Sequence, residues 1–189
     1  LAKAVDDIPG WMKKLSQKIG LLYGLVHCAG AQFIRPLRVT TGVCMEELMR
    51  INVMAAISLA RGFRQKGVCD TKSSIVFLSS VMGLVGQPGQ SAYAASKSAL
   101  VSMTKSLALE LAREGIRVNC IAPAVVKTEM SDKMFEGLTP DSINQIVQMH
   151  PLGIGTPRDV AFSIAFLLAE TSRWITGTTL VVDGGYTAQ

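Results

Sequence analysis

The sequence predicts an α/β fold: a parallel sheet of about four strands with flanking helices. Three observations predict it. Helical and strand patterns alternate along the chain, the signature of right-handed crossovers between parallel strands. The candidate strands are continuous apolar runs, as expected of strands buried on both faces. Three of these runs lead into Gly30, Ser80 and Pro123, so three separate segments converge beyond the carboxyl ends of the strands, where such sheets bind ligands.

In chain order, Trp11, Leu15 and Ile19 are apolar at i, i+4 and i+8, which predicts a helix over 11–19 with those side chains inward and Gly20 ending it. A buried strand over 21–28 follows and runs into His27-Cys28-Ala29-Gly30. Thr41 can cap one long helix reaching about Arg64, with Met45, Leu48, Asn52, Ala55 and Leu59 along a single stripe. Asn52 is the polar member of that stripe; it reads equally well as a surface side chain or as a buried amide in need of partners. A strand over 74–79 and a helix over 91–114 come next, then a strand over 116–121 that breaks at Pro123. The connection over 123–150 is long for a compact domain, which predicts a lid or binding loop with one or two short helices of its own. Thr156-Pro157-Arg158-Asp159 starts a further helix, with threonine at the cap, proline in the first turn and an acidic residue three after the cap. A last strand over 179–182 precedes Asp183-Gly184-Gly185.

The chain is organised around 79–97, SSVMGLVGQPGQSAYAASK. A buried strand delivers Ser79 and Ser80, a glycine-rich loop follows, and a helix carries Tyr93 and Lys97. Four residues apart on a helix, the last two stack on one face. An ammonium beside a phenol favours the phenolate, so Lys97 is expected to lower the pKa of Tyr93. A serine hydroxyl at the strand end can orient a carbonyl oxygen in front of that phenol. Proton donor, tuner and orienting group together suit the interconversion of a ketone and an alcohol.

Composition narrows the alternatives. With 189 residues, 49% hydrophobic and 17% charged, the chain has ample core for one globular domain. The net charge of +5 is scattered without a basic run, which fits a solvated surface and not a nucleic-acid interface. Cys28, Cys44, Cys69 and Cys120 show neither Cys-x-x-Cys spacing nor a neighbouring histidine cluster. No metal site or disulfide framework is therefore expected, but reduced, buried thiols in a cytoplasmic protein. No apolar run approaches membrane-spanning length, and no signal peptide precedes the first strand. His27 sits in apolar company, which favours a structural role over that of a base.

The residues from about Trp11 onward resemble the short-chain dehydrogenase/reductase family, and in particular its beta-ketoacyl carrier-protein reductases. The resemblance implies a Rossmann-like fold and a catalytic set of Asn52, Ser80, Tyr93 and Lys97, with Asn52 holding a water against the lysine in a proton relay. It implies NADP or NAD as cofactor. Ala29-Gly30 matches the end of the family's Asn-Asn-Ala-Gly motif, with His27 and Cys28 standing where the asparagines do, so Cys28, Ala29 and Gly30 are expected at the cofactor's ribose beside Tyr93 and Lys97. Pro123-Ala124-Val125-Val126-Lys127-Thr128 resembles the Pro-Gly-x-x-x-Thr segment over the nicotinamide, which implies contacts from Pro123, the Val126 backbone and the Thr128 hydroxyl. Partners implied are a small carbonyl or alcohol substrate and further copies of the chain, as homodimer or homotetramer.

The departure is at the front: no glycine-rich turn precedes Trp11, and the opening from Leu1 to Pro9 carries no strand pattern. The expectation is therefore a single partial domain over 1–189, the catalytic half of a Rossmann-like fold, with the activity belonging to a longer polypeptide. The rival reading is a non-catalytic oligomerising fragment that binds no dinucleotide alone. A further one makes 123–150 a docking surface for an acyl carrier, lined by Met130, Met134, Phe135, Leu138, Ile146 and Met149.

Overall fold

The computed structural model describes residues 5–188; Leu1–Ala4, the start of the front segment discussed above, lie outside them. Four strands form one parallel sheet in the order β1 (Leu22–His27), β2 (Cys69–Leu78), β3 (Arg117–Pro123), β4 (Thr179–Val182). The helices are α1 (Ile8–Ile19), α2 (Gly42–Leu48), α3 (Ala55–Phe63), α4 (Ser91–Leu111), α5 (Glu129–Phe135), α6 (Pro140–Gln148) and α7 (Pro157–Leu168). The two-residue period of β2 divides the core. Ile75 and Phe77 pack with Met12, Phe63, Leu100 and Leu111 on the α1/α3/α4 side, whereas Val76 packs with Ile121, Val160 and Leu167 on the α7 side.

Several expected details shift. The inner face of α1 is Ile8, Pro9, Met12 and Ser16, while Trp11 and Ile19 are exposed. The reason is α3: a Cβ at Gly62 would meet Met12 Sδ at 2.8 Å and Pro9 Cα at 3.0 Å, so the closest approach of the two helices selects the 8–12–16 face. The single long helix expected from Thr41 is interrupted by a π-helical turn, Met49–Met54, between α2 and α3. Such turns are frequent at functional sites, and Asn52 lies inside this one, wholly buried. Pro123 is the last residue of β3 and pairs with Val182. The cysteines are free, as expected, but only Cys120 is buried; Cys28 is exposed and Cys44 and Cys69 are half-buried.

Where the caps were legible they form. The Thr156 amide and hydroxyl both donate to the Asp159 carboxylate at 2.7 Å, which holds that carboxyl below its ordinary range. Not legible was Arg117, whose guanidinium donates to the carbonyls of Leu167 at 2.8 Å and of Leu168 and Ala169 at 3.2 Å, stapling the end of α7 to β3. Among the described residues no helix is long and apolar enough to cross a membrane, and no cluster of His, Cys, Asp or Glu could hold a metal.

Candidate active site

The site begins where β2 ends. Ser79 continues the sheet by donating its N–H to Ile121 O at 2.8 Å, and its hydroxyl donates to Lys97 O at 2.8 Å. That buried bond fixes α4 against the strand end. The chain then turns through a short 3-10 helix, Val81–Gly83, in which the Ser80 hydroxyl accepts from the Met82 N–H at 3.2 Å. Gly83 lets this turn lie on α4: a Cβ there would meet Ser79 Oγ at 2.8 Å and the Lys97 backbone at 3.0 Å.

Tyr93 and Lys97 stand one turn apart on α4, both buried, with Lys97 Nζ 5.6 Å from the centre of the phenol ring. The ammonium donates to Leu78 O at 2.9 Å. Burial pushes the Tyr93 pKa above its ordinary value, and the nearby Ser80 hydroxyl draws it down by less. The expected depression by Lys97 is not found: desolvation of the charged form sets the direction of the Tyr93 shift. Burial also lowers Lys97 to about 8.

Asn52 resolves the ambiguity left by the sequence in favour of burial. Its Oδ1 accepts from the Ala31 N–H at 2.9 Å, and its Nδ2 donates to Ala31 O at 3.0 Å and to Ser96 Oγ at 2.9 Å. The amide therefore clamps the loop after β1 to α4. A Cβ at Gly30 would lie 3.4 Å from both Asn52 Oδ1 and Lys97 Nζ, so Gly30 marks the point where the three segments meet. His27 is buried, and neither ring nitrogen has a hydrogen-bond partner among the described residues. Desolvation first, and the Lys97 charge second, bring its pKa down to about 4, so it is neutral near pH 7.

The strand end and α4 open onto a cavity of about 410 Å³. Ser80, Tyr93 and Lys97 line it, and so do Cys28, Gly30, Pro123, Val126 and Thr128. Ala29 and Asn52 do not; Ala29 is exposed, and Asn52 stands behind Ala31. The Thr128 hydroxyl accepts from the Ser131 N–H at 3.4 Å as the cap of α5. An outer cavity of about 880 Å³ adjoins the first and shares Met130, Met134, Ile146 and Met149 with it.

Sequence reasoning missed the polar boundary between the two cavities. Gln32 Nε2 donates to Gln90 Oε1 at 3.1 Å, and Gln90 Nε2 donates to Gln87 Oε1 at 3.0 Å. The signal available was the glutamine pair in the loop just before Tyr93; its link to Gln32 is made across 58 residues and leaves no local pattern. His150 and Tyr186 were missed for the same reason, as their rings meet only in space.

Comparison with known proteins bears on this arrangement. A family model described as enoyl-(acyl carrier protein) reductase matches residues 2–187. The 3-oxoacyl-[acyl-carrier-protein] reductase FabG of Rickettsia prowazekii is 42% identical over 141 residues, 74% of this chain and 57% of that protein. The FabG of Thermotoga maritima is 34% identical over 181 residues, 95% of this chain and 72% of that protein. The chain thus spans a little over half the length of the first relative and nearly three quarters of the second. Among solved structures, ElxO with NADP bound superposes with a TM-score of 0.88 at 32% identity, covering 100% of this chain and 77% of that one.

Proposed function

The chain belongs to the short-chain dehydrogenase/reductase family, and from that premise we propose that it carries the catalytic site of an NAD(P)-dependent oxidoreductase interconverting a carbonyl and a secondary alcohol. One observation carries the reading: a hydroxyl, a phenol and an ammonium from two different elements, Ser80, Tyr93 and Lys97, line one cavity.

A bound nicotinamide dinucleotide, NADP or NAD, supplies or accepts the hydride at the carbonyl carbon. The residues present suit its nicotinamide–ribose end. Lys97 offers a buried cationic donor, Gly30 leaves room beside it, and Pro123, Val126 and Thr128 wall the same cavity, with Cys28 at the rim and Ala29 beside it in the loop. In reduction Tyr93 protonates the carbonyl oxygen; its raised pKa keeps it a phenol and therefore a proton donor near pH 7. Ser80 holds that oxygen in line. Lys97 grips the ribose and returns a proton to Tyr93. Asn52 positions the loop through Ala31, and the second lone pair of its Oδ1 can hold the water of a relay.

The names of the FabG relatives favour a 3-oxoacyl-type substrate, and the methionine-lined outer cavity supports an elongated apolar chain. Phe162, Phe166 and Trp174 are exposed on α7 and the segment after it, which supports assembly into a homodimer or homotetramer.

The test is Tyr93→Phe in the full-length protein, assayed for NAD(P)H-dependent reduction of a 3-oxoacyl substrate. The rate should fall about 10²–10⁴-fold, with the melting temperature within about 3 °C of the parent. A variant turning over at the parent rate would exclude Tyr93 as the proton donor.

A further inference from the structure

The imidazole of His150 joins three segments that are separate in the sequence. His150 follows α6 within two residues and is only 3% exposed. Its Nδ1 lies 2.7 Å from Ile146 O, one turn back in α6. A carbonyl can only accept, so Nδ1 carries the proton, and the bare Nε2 accepts from the Val125 N–H at 3.3 Å. The ring centroid lies 5.0 Å from that of Tyr186 in the tail, the two planes tilted at 43°. One neutral tautomer thus uses both nitrogens, each on a different element.

Val125 is the middle of the 123–128 loop, and it is pinned on both sides. Its carbonyl accepts from Gly155 N at 3.1 Å, and Lys127 N donates to Gly155 O at 2.9 Å. That tie is backbone to backbone and insensitive to side-chain identity. The tie on the Val125 amide depends entirely on His150. The loop so held supplies Pro123, Ala124, Val125, Val126 and Thr128 to the wall of the cavity that Tyr93 also lines, while α6 supplies Ile146 to the same cavity and to the outer one.

We propose that His150 is a positioning residue that locks the lid helix α6 to the loop meeting the nicotinamide, so that lid and loop hold one common alignment over the site. This rests on the reading of 123–128 as the cofactor-facing loop. A change at either end of this tie is then felt at the other. A residue that only filled space would be indifferent to which nitrogen survives a substitution; a residue that positions the loop through Nε2 is not.

Two amides separate the roles. The terminal amide of glutamine reaches the place of Nε2 and can accept from Val125; that of asparagine reaches the place of Nδ1 and can donate to Ile146 O but falls short of Val125. In the full-length protein, His150→Gln should keep the KM for NADPH or NADH within about twofold of the parent. His150→Asn should raise it about tenfold, the fold-change of one buried N–H left without a partner, with kcat changing less. Hydrogen exchange should show the Val125 amide protected in the glutamine variant and unprotected in the asparagine variant. Equal behaviour of the two variants in both readouts would overturn the proposal. Imidazole ¹⁵N spectra of the unaltered protein need no variant to fold: the Nδ1–H tautomer is expected, and an Nε2–H tautomer would overturn it as well. If instead Tyr93→Phe kept full turnover, the active-site reading would fall, while the exchange of Val125 would still decide whether His150 ties lid to loop.

Discussion

The floor of the site and its lid are built by opposite means. On the floor, Ser79, Ser80, Gln90, Tyr93, Ser96 and Lys97 are all buried, and the serines, Gln90 and Lys97 are tied to backbone or to another side chain. In the lid, α6 has no buried residue and α5 has only Ser131, although Met130, Leu138 and Met149 are large and apolar. Packing holds the floor, whereas caps and a few long-range ties hold the lid. The difference places groups that need fixed geometry on the part that resists local opening, and groups that shape the outer cavity on the less buried part.

The sharpest way to break this contrast is Asn52→Leu. It removes the partner of the Ala31 N–H, of Ala31 O and of Ser96 Oγ at a wholly buried position. We expect a loss of about 3–5 kcal/mol in urea unfolding, since buried groups left unpaired cost about 1–3 kcal/mol each. A loss below about 1 kcal/mol would mean that the floor is as forgiving as the lid.

Acid should find the floor next. His27 has a folded pKa of about 4 against an ordinary 6.5. Between those values the unfolded chain binds the extra proton, so stability rises with pH there and is lost as pH falls from 6.5 towards 4. The shift corresponds to about 3 kcal/mol at full extent. His27→Leu should flatten that limb of a pH–stability curve; an unchanged limb would assign the acid sensitivity elsewhere.

The smallest effect belongs to the lid. Thr139 caps α6, its hydroxyl accepting from the Ser142 N–H at 3.3 Å. Thr139→Ala should weaken α6 by about 1 kcal/mol, seen as faster amide exchange confined to 140–148, with the melting temperature unmoved within about 1 °C. A global fall in melting temperature would show that the lid belongs to the same cooperative unit as the floor.

Legibility in the sequence follows the same divide. The strand end at Ser79-Ser80, the Tyr93–Lys97 spacing and the Thr156–Asp159 cap are local patterns, and each forms as read. The inner face of α1 was misread because Trp11, Leu15 and Ile19 give as good a stripe as Ile8, Met12 and Ser16; only the approach of Gly62 chooses between them. The uninterrupted helix through Asn52 was misread because a π-helical turn leaves little trace in hydrophobic spacing. Gln32 and His150 were invisible because their partners lie 58 and 25 residues away.

By itself the sequence determined the class of fold, the order of its elements and which hydroxyl, phenol and ammonium would share one end of the sheet. Those properties follow from backbone periodicity and from caps within a few residues of each other, and neither depends on what lies opposite. Only the tertiary structure decided how deeply Tyr93, Lys97 and His27 are desolvated, and hence the direction in which each titrates. It alone decided that Asn52 is a clamp, and which nitrogen of His150 meets the loop. The physical reason is that desolvation and hydrogen-bond pairing are set by neighbours that distant parts of the chain bring into place.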